Sequence, residues 1–86
     1  MVMNQDQLAK LAREIIEANH ASEDRDALIH GVKVNSDKLD MFLLDEIDRF
    51  SAEFVEQTGE VHIINEPQAM VGQLRIELAK QLEIKI

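Results

Sequence analysis

The stretch SDKLDMFLLDEIDRFSAEFVEQTG, Ser36 to Gly59, reads as one long helix with both ends marked. Asn35 or Ser36 can cap its first turn, Asp37 and Asp40 suit the positive end of the helix dipole, and Gly59 suits a left-handed terminator. At 100° per residue, Leu39, Leu43, Ile47, Phe50 and Phe54 fall within one arc of about 80°. Phe42 borders that arc. Met41, Leu44 and Val55 lie elsewhere on the helix, as a second apolar patch. All three aromatic residues of the chain sit on this element, so it is expected to be the spine of the core.

Outward from that helix, two more carry clear signals. Asn4 to His20 places Leu8, Leu11, Ile15 and Asn19 on one stripe, with Ala12 and Ile16 beside it. Asn4 and Gln7 have capping-box spacing. Lys10 with Glu14, and Arg13 with Glu17, are four apart and can pair on the surface. Asn65-Glu66-Pro67-Gln68 opens the last helix, where proline is tolerated in the first turn and Asn65 with Gln68 repeats the capping-box spacing. Met70, Val71, Leu74, Leu78 and Leu82 are its apolar face. Gly72 either weakens this helix or admits a close crossing.

Between them the reading is less direct. Ser22-Glu23-Asp24-Arg25 resembles a helix start with a serine cap, leading to a short helix that Gly31 would end. Val32 to Val34, Val61 to Ile64 and Leu82 to Ile86 are β-branched or alternating and could be short strands. The expectation is a mainly α fold: a small antiparallel bundle of three main helices and one short one, with 31–34 and 60–64 as a minor strand element. The alternative is α+β with two or three short strands packed on helices.

Repeats, low-complexity tracts and linkers are absent from the 86 residues, so they are read as a single domain, 1–86. A domain this short buries only about 60% of its unfolded surface, so a partner chain is expected to supplement its core, in the first instance a homodimer suggested by the second apolar patch of Met41, Leu44 and Val55. There is no cysteine, which excludes disulfides and thiolate metal sites and fits a reducing, cytoplasmic setting. The longest apolar run is Met41-Phe42-Leu43-Leu44, too short for a membrane span, and the first residues do not read as a signal peptide.

The formal charge is −8, from 17 acids against 9 bases. That disfavours nucleic acid and anionic lipid as partners. Eight of the acids fall in 36–60: Asp37, Asp40, Asp45, Glu46, Asp48, Glu53, Glu56 and Glu60, against Lys38 and Arg49. Such a surface either keeps the chain soluble or steers a basic protein partner. The residues assigned to partner binding are Met41, Leu44, Asp45, Asp48, Val55 and Glu56.

Catalytic signatures are lacking. His20, His30 and His62 have no companion at a metal-ligand spacing, and a site needs three or four converging ligands. Ser22 and Ser36 are better placed as caps than as nucleophiles, and there is no glycine-rich phosphate loop or nucleophile elbow. No cofactor, metal or enzymatic role is assigned. The chain is read as a small acidic protein–protein interaction module of the inhibitor, antitoxin or immunity type.

Asp37-Lys38-Leu39-Asp40-Met41 resembles the D-S-L-D-M that opens the second helix of acyl carrier proteins, and length, acidity and helix count are also similar. In that family the serine of the motif carries phosphopantetheine. The resemblance implies, as the alternative function, an acyl-carrier-like domain. The attachment position here is Lys38, which cannot be esterified, and Ser36 lies two residues too early.

Overall fold

The computed structural model describes residues 4–59 and 67–85. It contains four helices: α1 (Gln5–Ala18), α2 (Ser22–Val34), α3 (Asp37–Thr58) and α4 (Pro67–Gln81). Among the described residues there is no strand. Both the minor strand element and the α+β alternative are therefore corrected to a helical bundle. Val61 to Ile64 lie outside the described residues, as do Asn65 and the cap expected of it.

Three of the helix ends follow from their sequence. Asn4 accepts from the Gln7 amide at 2.8 Å, and the Gln7 side chain accepts from the Asn4 amide at 2.9 Å, so the capping box is complete. Ser36 Oγ accepts from the Leu39 amide at 3.1 Å and starts α3. Gly59, at φ 72°, ends α3 in the left-handed region and donates its N–H to the Val55 carbonyl.

The start and end of α2 differ from expectation. Ser22 is the first helical residue, and the capping position belongs to Ala21, whose side chain offers nothing to the helix. Gly31 is not the terminator. The helix runs through it to Val34 and ends at Asn35, which takes φ 51°. Val32 is fully buried and Val34 is 55% exposed. Their alternation is that of a helix leaving the core, not of a strand.

Buried residues from all four helices form one cluster, with Leu11, Ile15, Val32, Leu43, Ile47, Leu74 and Leu78 fully enclosed. The hub of the packing is α4, not α3: α4 touches each of the other three helices, while α1 and α3 barely meet except through it. Its buried positions, Glu77, Met70, Leu74, Leu78, Val71 and Ala79, span about 200° of the helix, as an element packed on several sides requires.

Polar groups tie the hub to its neighbours. Glu77 is buried, 7% exposed, and its two oxygens accept from Gln5 Nε2 at 2.8 Å and Gln81 Nε2 at 3.2 Å. Gln81 Nε2 also donates to the Ala9 carbonyl at 2.9 Å. Arg75 Nε donates to the Val32 carbonyl at 2.9 Å, satisfying an orphan acceptor in the last turn of α2.

After α4 the chain turns rather than extends. Glu83 takes φ 58°, the Ile84 amide bonds the Ala79 carbonyl at 2.8 Å, and the Glu83 amide bonds that of Lys80 at 3.3 Å. This is a Schellman motif, and Leu82 and Ile84 pack partly buried against the core as its hydrophobic contact.

Candidate interaction surface on the third helix

Two faces of α3 do different work. Leu39, Leu43, Ile47 and Phe50 are buried on one side. Met41, Leu44, Asp45, Asp48, Val55 and Glu56 all lie on the other, within an arc of about 120°. The structure places these six on one face, in two groups rather than one cluster. Met41, Leu44, Asp45 and Asp48 are mutual neighbours at three- and four-residue spacing, and Val55 with Glu56 follows two turns later.

Their exposure is uneven. Met41 is 69% exposed, the highest of the exposed large hydrophobics among the described residues. Asp45, Asp48 and Glu56 are exposed. Leu44 and Val55 are half-buried, and Leu44 packs against the core, so it belongs partly to the interior. The second apolar patch thus reduces to Met41 with two shoulders.

Of the two bases on α3, Lys38 stands exposed beside Met41, and Arg49 is occupied elsewhere. Arg49 binds Glu46 at 2.7 Å and Glu53 at 2.8 Å, and approaches Glu14 of α1 at 3.6 Å. Its hydrogen bonds to Glu46, then those to Glu53, hold the guanidinium pKa above its ordinary value against a desolvation cost. Glu14 is drawn to Arg49 across the helices, and neither Lys10–Glu14 nor Arg13–Glu17 closes within ion-pair distance among the described residues.

Elsewhere the polar side chains have structural duties. Ser36 is engaged as a cap, and Lys38, the position of the carrier serine, is exposed in the first turn of α3. His20 Nδ1 lies 2.8 Å from the Glu17 carbonyl, a contact that needs the proton on Nδ1. His62 lies outside the described residues. Among the described residues no group of three His, Asp or Glu side chains could hold a metal ion, and no helix is long and apolar enough to cross a membrane.

One feature was not legible in the sequence. A cavity of about 500 Å³ opens between α2 and the start of α3, with Ala27, Leu28, Gly31, Leu39 and Phe42 as its apolar walls. Asn19, Asp24, His30, Ser36 and Lys38 line the rest.

Comparison with protein-family models, with curated proteins and with solved structures returns no match.

Proposed function

We propose that the protein is a small acidic interaction module that binds a basic protein partner through the outer face of α3. The observation that carries this reading is Met41, 69% exposed beside the acids Asp45 and Asp48, with Glu56 further along the same face. An exposed apolar residue bordered by Asp37 and Asp45, with Lys38 as a base beside it, has the composition of a small contact with a charged, mainly acidic rim. The rim raises the encounter rate with a cationic surface, and the methionine adapts to what it meets. Size and acidity fit a regulator of the inhibitor, antitoxin or immunity kind. The carrier reading has no hydroxyl at Lys38 to attach a prosthetic group.

The test is capture of partners from the native host on immobilised chain, at low and high salt, with the Asp45→Lys, Asp48→Lys, Glu56→Lys triple variant in parallel. A basic protein retained by the wild type at low salt and lost by the variant supports the reading. Identical retention by both removes it.

The homodimer is proposed on a different face. Two copies meeting through the outer face of α3 would bring Asp45, Asp48 and Glu56 toward like charges. The outer face of α4 carries Ala69, Gly72, Gln73, Ile76 and Lys80, all exposed and none acidic. Ile76 is 59% exposed there, which favours α4 as the self-contact of a chain that otherwise repels its copy.

A further inference from the structure

The cavity between α2 and the start of α3 lies at the edge of the core cluster, to which Leu28 and Leu39 belong. Leu28 and Leu39 form its buried floor, Phe42 is half-buried, and Ala27 stands exposed on the α2 wall. Gly31 contributes bare backbone to the α2 wall, and the Leu39 and Ser36 side chains stand 3.3–3.5 Å from where its Cβ would be. At about 500 Å³ it lies within the usual range of ligand pockets, about 300–1,000 Å³, and exceeds what one aromatic side chain needs.

Its surroundings are acidic. Its own lining holds one acid, Asp24, and one base, Lys38, and the excess of acid lies on the flanking helix surfaces, where Asp45 follows Phe42 by three residues. Across α2 there are three acids against two bases, and across Asp37 to Asp48 five acids against one. A cationic segment would be drawn to this neighbourhood, and an anionic ligand would be repelled from all of it but Lys38.

We infer that the α2–α3 cavity is the anchoring pocket for one large apolar side chain on a cationic segment of the protein partner. The inference rests on the proposed function and adds where the partner gains its grip. A single desolvated anchor typically carries most of the affinity of a small interface, while rim charges set the rate of encounter. The anchor enters beside Phe42, and the flanking cations reach Asp24, Asp45 and Asp48.

The chain has no tryptophan and no tyrosine, so a tryptophan on a probe reports alone. The probe is a synthetic 14-residue amphipathic helix of leucine and lysine with one central tryptophan, titrated into the full chain and followed by emission shift and amide resonances. Two control peptides replace the tryptophan by alanine, or every lysine by glutamate. The protein variant is Ala27→Leu, which fills the cavity from an exposed helical site, with its thermal midpoint measured alongside. The expected result is a blue-shifted tryptophan, amide shifts at Leu28, Gly31 and Phe42, and binding at least about tenfold weaker for the alanine peptide and for Ala27→Leu, the order of a lost hot spot. Should the lysine peptide bind equally with and without tryptophan, and equally to Ala27→Leu, the anchoring pocket is overturned and the acidic-face reading stands. Should the glutamate peptide bind as well as the lysine one while Ala27→Leu binds neither, the pocket stands and the acidic-face reading falls. Absence of binding by every peptide overturns the inference.

Discussion

A Cβ added to Gly31 would stand 3.3 Å from the Cβ of Leu39, closer than side chains normally approach. The turn at Asn35 folds α3 back so closely against α2 that a side chain at this position needs the helices to give by a few tenths of an ångström. Leu39 Cβ moves only with its helix backbone, so it cannot yield easily. Gly72 is also helical, but a Cβ there would meet nothing within 4 Å. The same substitution is therefore expected to have opposite signs. Gly72→Ala should stabilise by about 1 kcal/mol, the propensity difference, and raise the thermal midpoint by about 4–8 °C. Gly31→Ala should gain that term and lose more to overpacking, for a net loss of about 1 kcal/mol. Thermal and urea denaturation of both variants checks the pair, and a stabilised Gly31→Ala would show that the helices can separate at no cost.

Two helix ends are suboptimal and should accept improvement. Ala21 holds the extended backbone of a capping residue, φ −61° and ψ 143°, without a side chain that can cap. Ala21→Ser should supply the missing acceptor and stabilise by about 1 kcal/mol. Glu83 holds φ 58°, where glycine is the usual occupant, so Glu83→Gly should stabilise by about 0.5 kcal/mol once the greater freedom of the unfolded glycine is counted. A lowered urea midpoint in either variant would contradict these assignments.

The two sides of α3 should respond differently to truncation. Phe50 is buried beside Ile47, and Phe50→Ala should cost about 3–5 kcal/mol. Met41→Ala should cost under about 0.5 kcal/mol, as expected of an exposed position. An unchanged midpoint for Phe50→Ala would mean that the wrong face of α3 has been assigned to the core.

These responses separate what the sequence made legible from what it did not. The 3.6-residue stripes of α1 and α3 stood out because each helix faces one body of neighbours, so Leu8, Leu11 and Ile15, or Leu39, Leu43 and Ile47, recur on one side. The stripe of Met70, Val71, Leu74 and Leu78 marked α4 as a helix, but its central place was hidden, because Glu77 and Ala79, outside the apolar face the sequence suggests, are buried too. Gly31 misled because a glycine that ends a helix and a glycine that lets two helices approach are the same letter. Leu82 and Ile84 alternate because they flank the left-handed Glu83, and a Schellman turn mimics the period of a strand over three residues. Of the candidate site, the shared face of Met41, Asp45, Asp48 and Glu56 followed from helical spacing. The cavity beside Phe42 did not, because it depends on how α2 and α3 meet.

Self-association should depend on α4. If the chain pairs through the acid-free face, sedimentation at micromolar concentration shows about twice the chain mass, and Ile76→Glu restores the monomer by placing like charges at the contact. Met41→Glu should leave the dimer intact. A monomer across the whole concentration range for the wild type would eliminate the pairing, and a dimer insensitive to Ile76→Glu would move it to another face.

Reversing charge at Asp45, Asp48 and Glu56 tests whether the acidic face has a function beyond solubility. All three are exposed and point away from Leu43, Ile47 and Phe50, so the fold should survive their replacement by lysine. With Arg49 held by Glu46 and Glu53, these acids have no local base to release, and the full change in charge is felt by an approaching partner. Association of the variant with the captured partner should slow by about tenfold or more at low ionic strength, and its salt dependence should flatten, since exposed charges are screened beyond about 10 Å at 0.1 M salt. Dissociation should change little, because rim charges act mainly on the encounter. A solubilising role predicts the reverse pattern: unchanged association and earlier precipitation of the variant. Stopped-flow mixing at two salt concentrations distinguishes these, and an unaltered on-rate at low salt would leave the acids of α3 as a solvated surface.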